Sequence, residues 1–289
     1  MICTHDGVFH GDDVMAGAIV RLAYPSEAII RTRNPEELAA ARLCFDVGAG
    51  QYDHHQRGGN GERENAVPYA SAGLLWRDHG ALICASAEVA AEVDRQLIAS
   101  IDAHDNGYVL SQRLYETAVP CTVSHIISLF NPSWDEPQNF DAEYWRAVSF
   151  AGVILARAIV RARGVVLARG VVRQAVADAI DPRIVVLPYF VPWQDALVEQ
   201  STEALFCVYP SAGTWRVQVV PVKIGLPGAR MSLPAMWAGL EKEELCSITG
   251  VADATFAHRG RFIAGAQSRD GALALAAAAL DAAWGRETR

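Results

Sequence analysis

The chain has 289 residues, 51% of them hydrophobic and 20% charged, with a formal net charge of −8. That length and apolar content exclude a disordered chain and lead to an expectation of two domains. The acidic balance argues against a protein that coats long nucleic acid through a broad basic face, although bound cations could still draw a phosphate into a local pocket.

No apolar run is long enough for a membrane span, and the sequence opens directly on a strand-like segment, so neither a membrane anchor nor a signal peptide is expected and a cytoplasmic location is. The six cysteines, from Cys3 to Cys246, form no C-x-x-C pair, which points to reduced thiols and not to a zinc ribbon or disulfide framework.

In chain order, residues 1–4 read as a strand, 5–12 as a loop and 13–24 as a helix stopped before Pro25. Residues 28–31 form a second strand, Asn34-Pro35 opens a second helix, and 43–47 are a third strand. Such alternation predicts a parallel α/β sheet with ligands beyond the carboxyl ends of its strands, where the loop 5–12 and Asp46 both fall. A glycine-rich polar loop (58–65) precedes predicted helices at 71–79 and 86–101. A Pro/Trp/Asn stretch (131–139) then leads into a long helical run, 141–179, broken near Gly164 and Gly170. Short β-rich segments (184–187, 205–209, 215–221, 255–258, 261–264) and a final helix (269–284) complete a smaller mixed α/β domain. The expected organisation is a parallel-sheet metal-binding catalytic domain (1–135), a helical connector (136–180) and a substrate-clamping domain (181–289).

Of the eight histidines, His5, His10, His54 and His55 lie in the first 55 residues, each close to aspartates in turn-like sequence. The loop from His5 to Asp12, with Asp46 and Asp53-His54-His55, supplies imidazoles and carboxylates at successive element ends. That mixture suits Mn²⁺ best, with Mg²⁺ or another divalent ion as alternatives, and its size suits two ions acting on a phosphoryl group. Plainer readings compete at several positions: Asp13 as a helix N-cap, Asp6 as a turn former, His79 as a helix C-terminal cation, and His104 and His125 as structural residues. In the second domain, His258, Arg259 and Arg261 around Gly260, with Arg230 in another loop, could clamp substrate phosphate through guanidinium forks.

The run Tyr52-Asp53-His54-His55-Gln56 carries the D-H-H signature. It is accompanied in order by Thr4-His5, Phe9-His10, Arg31-Thr32-Arg33, Asp46-Val47-Gly48, Ser71-Ala72-Gly73-Leu74 and Asp102-Ala103-x-Asp105-Asn106-Gly107. Further matches follow at Phe130-Asn131-Pro132, Val191-Pro192-Trp193, Trp215-Arg216-Val217-Gln218, Trp237-x-Gly239-Leu240 and Phe256-x-His258. Together they resemble the Myg exonuclease family of the DHH phosphoesterase superfamily across nearly the whole chain.

The resemblance implies a two-metal phosphodiester hydrolase releasing nucleoside monophosphates from short RNA or DNA ends. His5, His10, Asp12 and His54 are then ligands, Asp46 bridges the ions, Asp102 is the last ligand with Asp105 as the competing choice, and His55 contacts substrate phosphate. Where the family carries a Gly-Gly-Asn run, this chain reads Ala264-Gly265-Ala266, which places substrate choice in question. The alternatives are a phosphoesterase for cyclic dinucleotides or pyrophosphate and a non-catalytic metal- or nucleotide-binding regulator. A homo-oligomer is also compatible with the sequence.

Overall fold

A computed structural model describes residues 1–112 and 114–284. The chain is α/β and divides into two compact units, Met1–Arg163 and Gly164–Arg289.

In the first unit, β1 (Ile2–Thr4) is followed by α1 (Gly11–Ala23), β2 (Ile29–Arg31), α2 (Pro35–Ala40) and β3 (Leu43–Cys44). The strands pair in parallel in the order β2-β1-β3, with Cys3 opposite both Ile30 and Cys44. This is the arrangement expected from strand-helix alternation, and Asn34 starts α2 by accepting a hydrogen bond from the Glu36 N–H. Strand β3 is shorter than its apolar pattern suggests because Asp46 turns into the left-handed region at φ 56°. A short polar side chain tolerates that conformation better than most, and here it sits at the site itself.

Next come α3 (Ser71–Cys84), α4 (Ala87–Val93), a π-helical turn (Asp94–Ile98), α5 (Ala99–Asp105) and α6 (Val123–Ser128). Helix α3 runs past Gly80 to a left-handed cap at Ala85. The predicted 86–101 helix is interrupted by the π turn and extends to Asp105. π turns recur where a helix must re-aim a side chain, and this one precedes the turn carrying Asp102 and Asp105.

The long helix α7 (Phe140–Ala177) is continuous through Gly164 and Gly170. Its buried positions Tyr144, Ala147, Val148, Ala151, Leu155, Ile159 and Ala162 recur at helical spacing, and Tyr144 packs edge-on to Phe9 within the first unit. Its later positions Ala168, Val172 and Ala175 join a core of the second unit with Leu187, Trp193 and Tyr209. The helical segment expected at 136–180 is a single helix, of which residues 140–163 belong to the first unit and 164–177 to the second.

The second unit adds β4 (Ile184–Val186), α8 (Gln194–Gln200), β5 (Phe206–Ser211), β6 (Thr214–Val219), α9 (Lys242–Thr249), β7 (Ala254–Ala257), β8 (Ile263–Ala266) and α10 (Arg269–Trp284). Its sheet has the order β4-β5-β6-β8-β7, parallel only between β4 and β5. Phe206, Val208, Val217 and Ala264 on one face meet Leu275 and Ala279 of α10. No helix among the described residues is long and apolar enough to cross a membrane.

Candidate metal centre

The site forms where the strand ends of the first unit meet the N-termini of α1 and α3. The register of β1 with β3 sets His5, just past β1, beside Asp46, just past β3, and the Phe45 N–H donates to the Cys3 carbonyl to continue the pairing. The Asp46 N–H donates to the Tyr52 carbonyl, which draws the Asp53-His54-His55 segment alongside. On the other side, the Tyr144 hydroxyl donates to the Asp13 carbonyl at 3.1 Å, and Asn131 exchanges hydrogen bonds with both backbone groups of Phe9. These contacts fix the loop between β1 and α1.

Asp46 is the hub. Its Oδ2 lies 3.2 Å from His5 Nε2, and its Oδ1 lies 3.3 Å from His54 Nδ1 and accepts a hydrogen bond from Ser71 Oγ at 2.9 Å. His5 Nε2 also lies 3.1 Å from Asp13 Oδ2, while His5 Nδ1 meets the Asp6 carbonyl at 3.0 Å. An Nδ1–H donated to that carbonyl leaves Nε2 toward the carboxylates, where it can carry a proton shared with them or, once deprotonated, bind a metal. His54 Nε2 reaches Asp105 Oδ2 at 2.9 Å, and its Nδ1 stands 3.9 Å from Asp12 Oδ2. His55 stacks on His54 with centroids 4.4 Å apart, and its Nδ1 is held by Asp53 at 2.8 Å. Its side chain remains 62% exposed, so its other edge is open to a ligand.

Three overlapping groups therefore emerge: His5, Asp13 and Asp46; Asp12, His54 and Asp105; and Asp46, Asp53, His54 and His55. A cavity of about 500 Å³ opens over them, lined by His5, His10, Asp46, Asp53 and His55 together with Asp6, Val8 and Arg33.

The electrostatics of this cluster call for a cation. Five carboxylates face three imidazoles, and among the described residues Asp12 Oδ1 is buried without a hydrogen-bond partner. Burial, then Asp46, Asp105 and Asp13, hold the Asp12 carboxyl well above the usual carboxylate range. Burial likewise raises Asp13 against the pull of His5. Burial opposes a charged His5, but hydrogen bonds to Asp13 and Asp46 prevail and push its pKa up to about 10. His54 is also raised against burial, by Asp105 and Asp46. Without a cation, a proton on His5 is the counter-charge; a divalent ion could replace it. Separations of 3.1 and 3.2 Å between His5 Nε2 and two carboxylate oxygens are also the spacing of neighbouring donors around an ion with bonds of about 2.1–2.2 Å. The residues present fit a divalent metal.

Several expectations change on this geometry. Asp102 points away from the group: its carboxylate accepts from the Gly73 N–H at 3.0 Å and from Arg63 at 2.8 Å. Asp105, one helical turn on, is the residue that meets His54 and Asp12. Asp13, read as a helix cap, does accept the His10 N–H at 2.7 Å, yet its second oxygen faces His5. His10 is exposed on the cavity wall and joins none of the three groups.

In the second unit, His258, Arg259 and Arg261 occupy the turn between β7 and β8. His258 is exposed, its ring lies 4.5 Å from Phe262, and its Nδ1 accepts the Gly260 N–H at 3.0 Å. Arg259 is exposed as well. Arg261 instead donates through Nε to the Leu233 carbonyl at 2.7 Å. Arg230 spends its guanidinium on the carbonyls of Ser201, Ala204 and Val198. These two arginines tie loops together, a use that isolated surface-like sequence positions do not betray.

A sequence profile described as "Uncharacterised protein family (UPF0160)", the MYG1 exonuclease profile, matches residues 1–280. The MYG1 protein of Saccharomyces cerevisiae is 32% identical over 95% of this chain and 94% of its own length. The human MYG1 exonuclease is 31% identical over 96% of this chain and 85% of its own. A solved structure of a Vibrio pGpG-specific phosphodiesterase aligns over 92% of both chains at 10% identity and a TM-score of 0.32, a likeness too distant to carry an argument. With a profile spanning almost the full length and relatives similar from end to end, the chain belongs to the MYG1 exonuclease family.

Proposed function

We propose that this protein is a metal-dependent phosphodiester hydrolase of the DHH type that removes nucleoside monophosphates from the ends of short RNA or DNA. The observation that carries the reading is Asp46, whose two oxygens face two separate histidine-carboxylate groups, His5 with Asp13 and His54 with Asp12 and Asp105. That disposition suits a carboxylate shared by two divalent ions, Mn²⁺ by the chemistry of the donors. When bound, the ions supply Lewis acidity toward the phosphoryl oxygens.

The chain's own residues have distinct duties in this scheme. Ser71 orients Asp46 through its hydroxyl, and its backbone N–H, at the start of α3, donates to Asp12 Oδ2 at 3.3 Å. The Asp6 carbonyl fixes the His5 ring. Asp53 holds the His55 ring by Nδ1, leaving Nε2 to donate to a phosphoryl oxygen in the cavity. The relative named as an exonuclease supports a nucleic-acid end as substrate. The net charge of −8 favours small substrates, which keeps a cyclic dinucleotide or pyrophosphate as a second reading.

The test is a side-by-side assay of purified protein with Mn²⁺ on short labelled RNA, short DNA, a cyclic dinucleotide and pyrophosphate. Stepwise release of monophosphates from an oligonucleotide supports the reading. Turnover of pyrophosphate or the cyclic dinucleotide alone replaces it with the second one.

A further inference from the structure

Among the described residues Arg33 is the arginine in the wall of the cavity over the candidate metal centre, and the geometry points to Arg33 as the residue that grips a substrate phosphoryl oxygen there. The inference rests on the phosphoesterase reading and names the side chain that would recognise the phosphate.

Two arginines stand at the end of β2, and the structure uses them differently. Arg31 is buried and committed: it donates to Asp141 at 2.7 Å and to the Gly7 carbonyl at 2.7 Å, with its guanidinium 4.3 Å from the Tyr144 ring centre. It pins the loop that carries His5 and His10. Arg33 is set beside the same loop by continuation of the parallel pairing, because the Thr32 N–H donates to the Thr4 carbonyl at 2.7 Å. The Thr32 hydroxyl then accepts the Asn34 N–H and fixes the turn into α2. The backbone on both sides of Arg33 is thus anchored while its side chain is 63% exposed.

The partner of Arg33 is Asp6, at 3.3 Å and itself 53% exposed. Charge-assisted hydrogen bonds between a guanidinium and a carboxylate run about 2.7–2.9 Å, and an exposed pair is worth about 0–1 kcal/mol. A phosphoryl oxygen can therefore displace Asp6 at little cost, and the planar fork of donors matches its geometry. The need for such a cation is local: Asp6, Asp46 and Asp53 all line the cavity, so an anionic substrate needs a fixed positive group as well as any metal. With His55 opening onto the same space, the cavity offers two donors to one phosphate group.

The experiment is equilibrium binding of a nucleoside monophosphate to the Mn²⁺-loaded full-length protein, which needs no turnover. Arg33→Ala is expected to weaken binding at least tenfold with bound manganese unchanged, and Arg33→Lys to recover part of the loss. Asp6→Asn is expected to bind as tightly as the parent or more tightly, since it removes the competitor. Parent-like binding by Arg33→Ala overturns the inference, and so does a loss on Asp6→Asn equal to that of Arg33→Ala, which would make the pair a structural tie. If the parent protein binds the monophosphate through Arg33 yet hydrolyses no phosphodiester, the inference stands and the exonuclease reading fails.

Discussion

Arg63 holds Asp102 at 2.8 Å with the same guanidinium that grips Asp94 at 2.7 and 2.8 Å. Burial lifts the Asp102 carboxyl to about 7 against the pull of Arg63, and Arg63 is raised by Asp94 and Asp102 even though burial opposes its charge. The pair joins the polar loop before α3 to the π turn and α5. Asp102→Ala should therefore cost about 3–5 kcal/mol of folding stability by leaving Arg63 partly unpaired. Asp105→Ala, which removes a half-buried carboxylate from a crowded group, should cost far less stability but weaken metal binding. Urea unfolding and bound-manganese analysis of both variants check this; the opposite assignment of losses would return Asp102 to the metal.

Gly73 is the point where α3 touches Asp102. A Cβ built there would stand 1.7 Å from Asp102 Oδ2 and 2.8 Å from the Arg63 guanidinium. Gly73→Ala is expected to destabilise the protein by about 2–4 kcal/mol, the cost of overpacking plus a displaced ion pair. Unfolding midpoints close to those of the parent would show that the pair can step aside.

What the sequence disclosed, and what it concealed, follows from these contacts. The concentration of His5, Asp12, Asp46 and His54 was visible as imidazoles and carboxylates crowded into the first 55 residues, and the fold brings these four side chains into overlapping groups. Asp13 was concealed by its position in the first turn of α1, where a carboxylate ordinarily caps, and it serves that use as well. Asp102 and Asp105 share one face of a turn. What distinguishes their surroundings is Arg63, 39 residues before Asp102 in a loop with no regular pattern, which takes up Asp102 and leaves Asp105 facing His54. The parallel sheet was readable from alternation, but the early end of β3 was not, because nothing local in Leu43 to Val47 shows that Asp46 turns left-handed. Helices α8 and α9, 7 and 8 residues long, were missed because neither has the capping side chain and N1 proline that marked the shorter α2.

The metal-free protein should lose stability as pH rises. His5 has a folded pKa of about 10 against an unfolded value of 6.5, so its contribution is fully present below pH 6.5 and is lost as pH climbs through 10. Thermal unfolding in chelator between pH 6.5 and 10 should show that decline, and His5→Gln should flatten it. An equal slope in the variant would assign the decline to other groups.

Manganese should reverse the same deficit. A ligand that binds only the folded state stabilises it by about 2.7 kcal/mol at a concentration 100 times Kd. Melting temperature should rise with added Mn²⁺ and return to its starting value with chelator. No rise at saturating Mn²⁺ would mean that the carboxylate cluster does not take this ion.

Asp46→Asn is the sharpest probe of a carboxylate shared by two ions, because the substitution keeps the size of the side chain and its contact with Ser71 while removing the charge that faces both groups. Manganese stoichiometry and turnover of a short oligonucleotide would be measured together, with circular dichroism to verify the fold. The expected result is a folded protein that binds fewer ions than the parent and turns over at least about 1,000-fold more slowly, a loss of about 4 kcal/mol of transition-state stabilisation. A folded variant with full metal content and most of the parent's activity would contradict it.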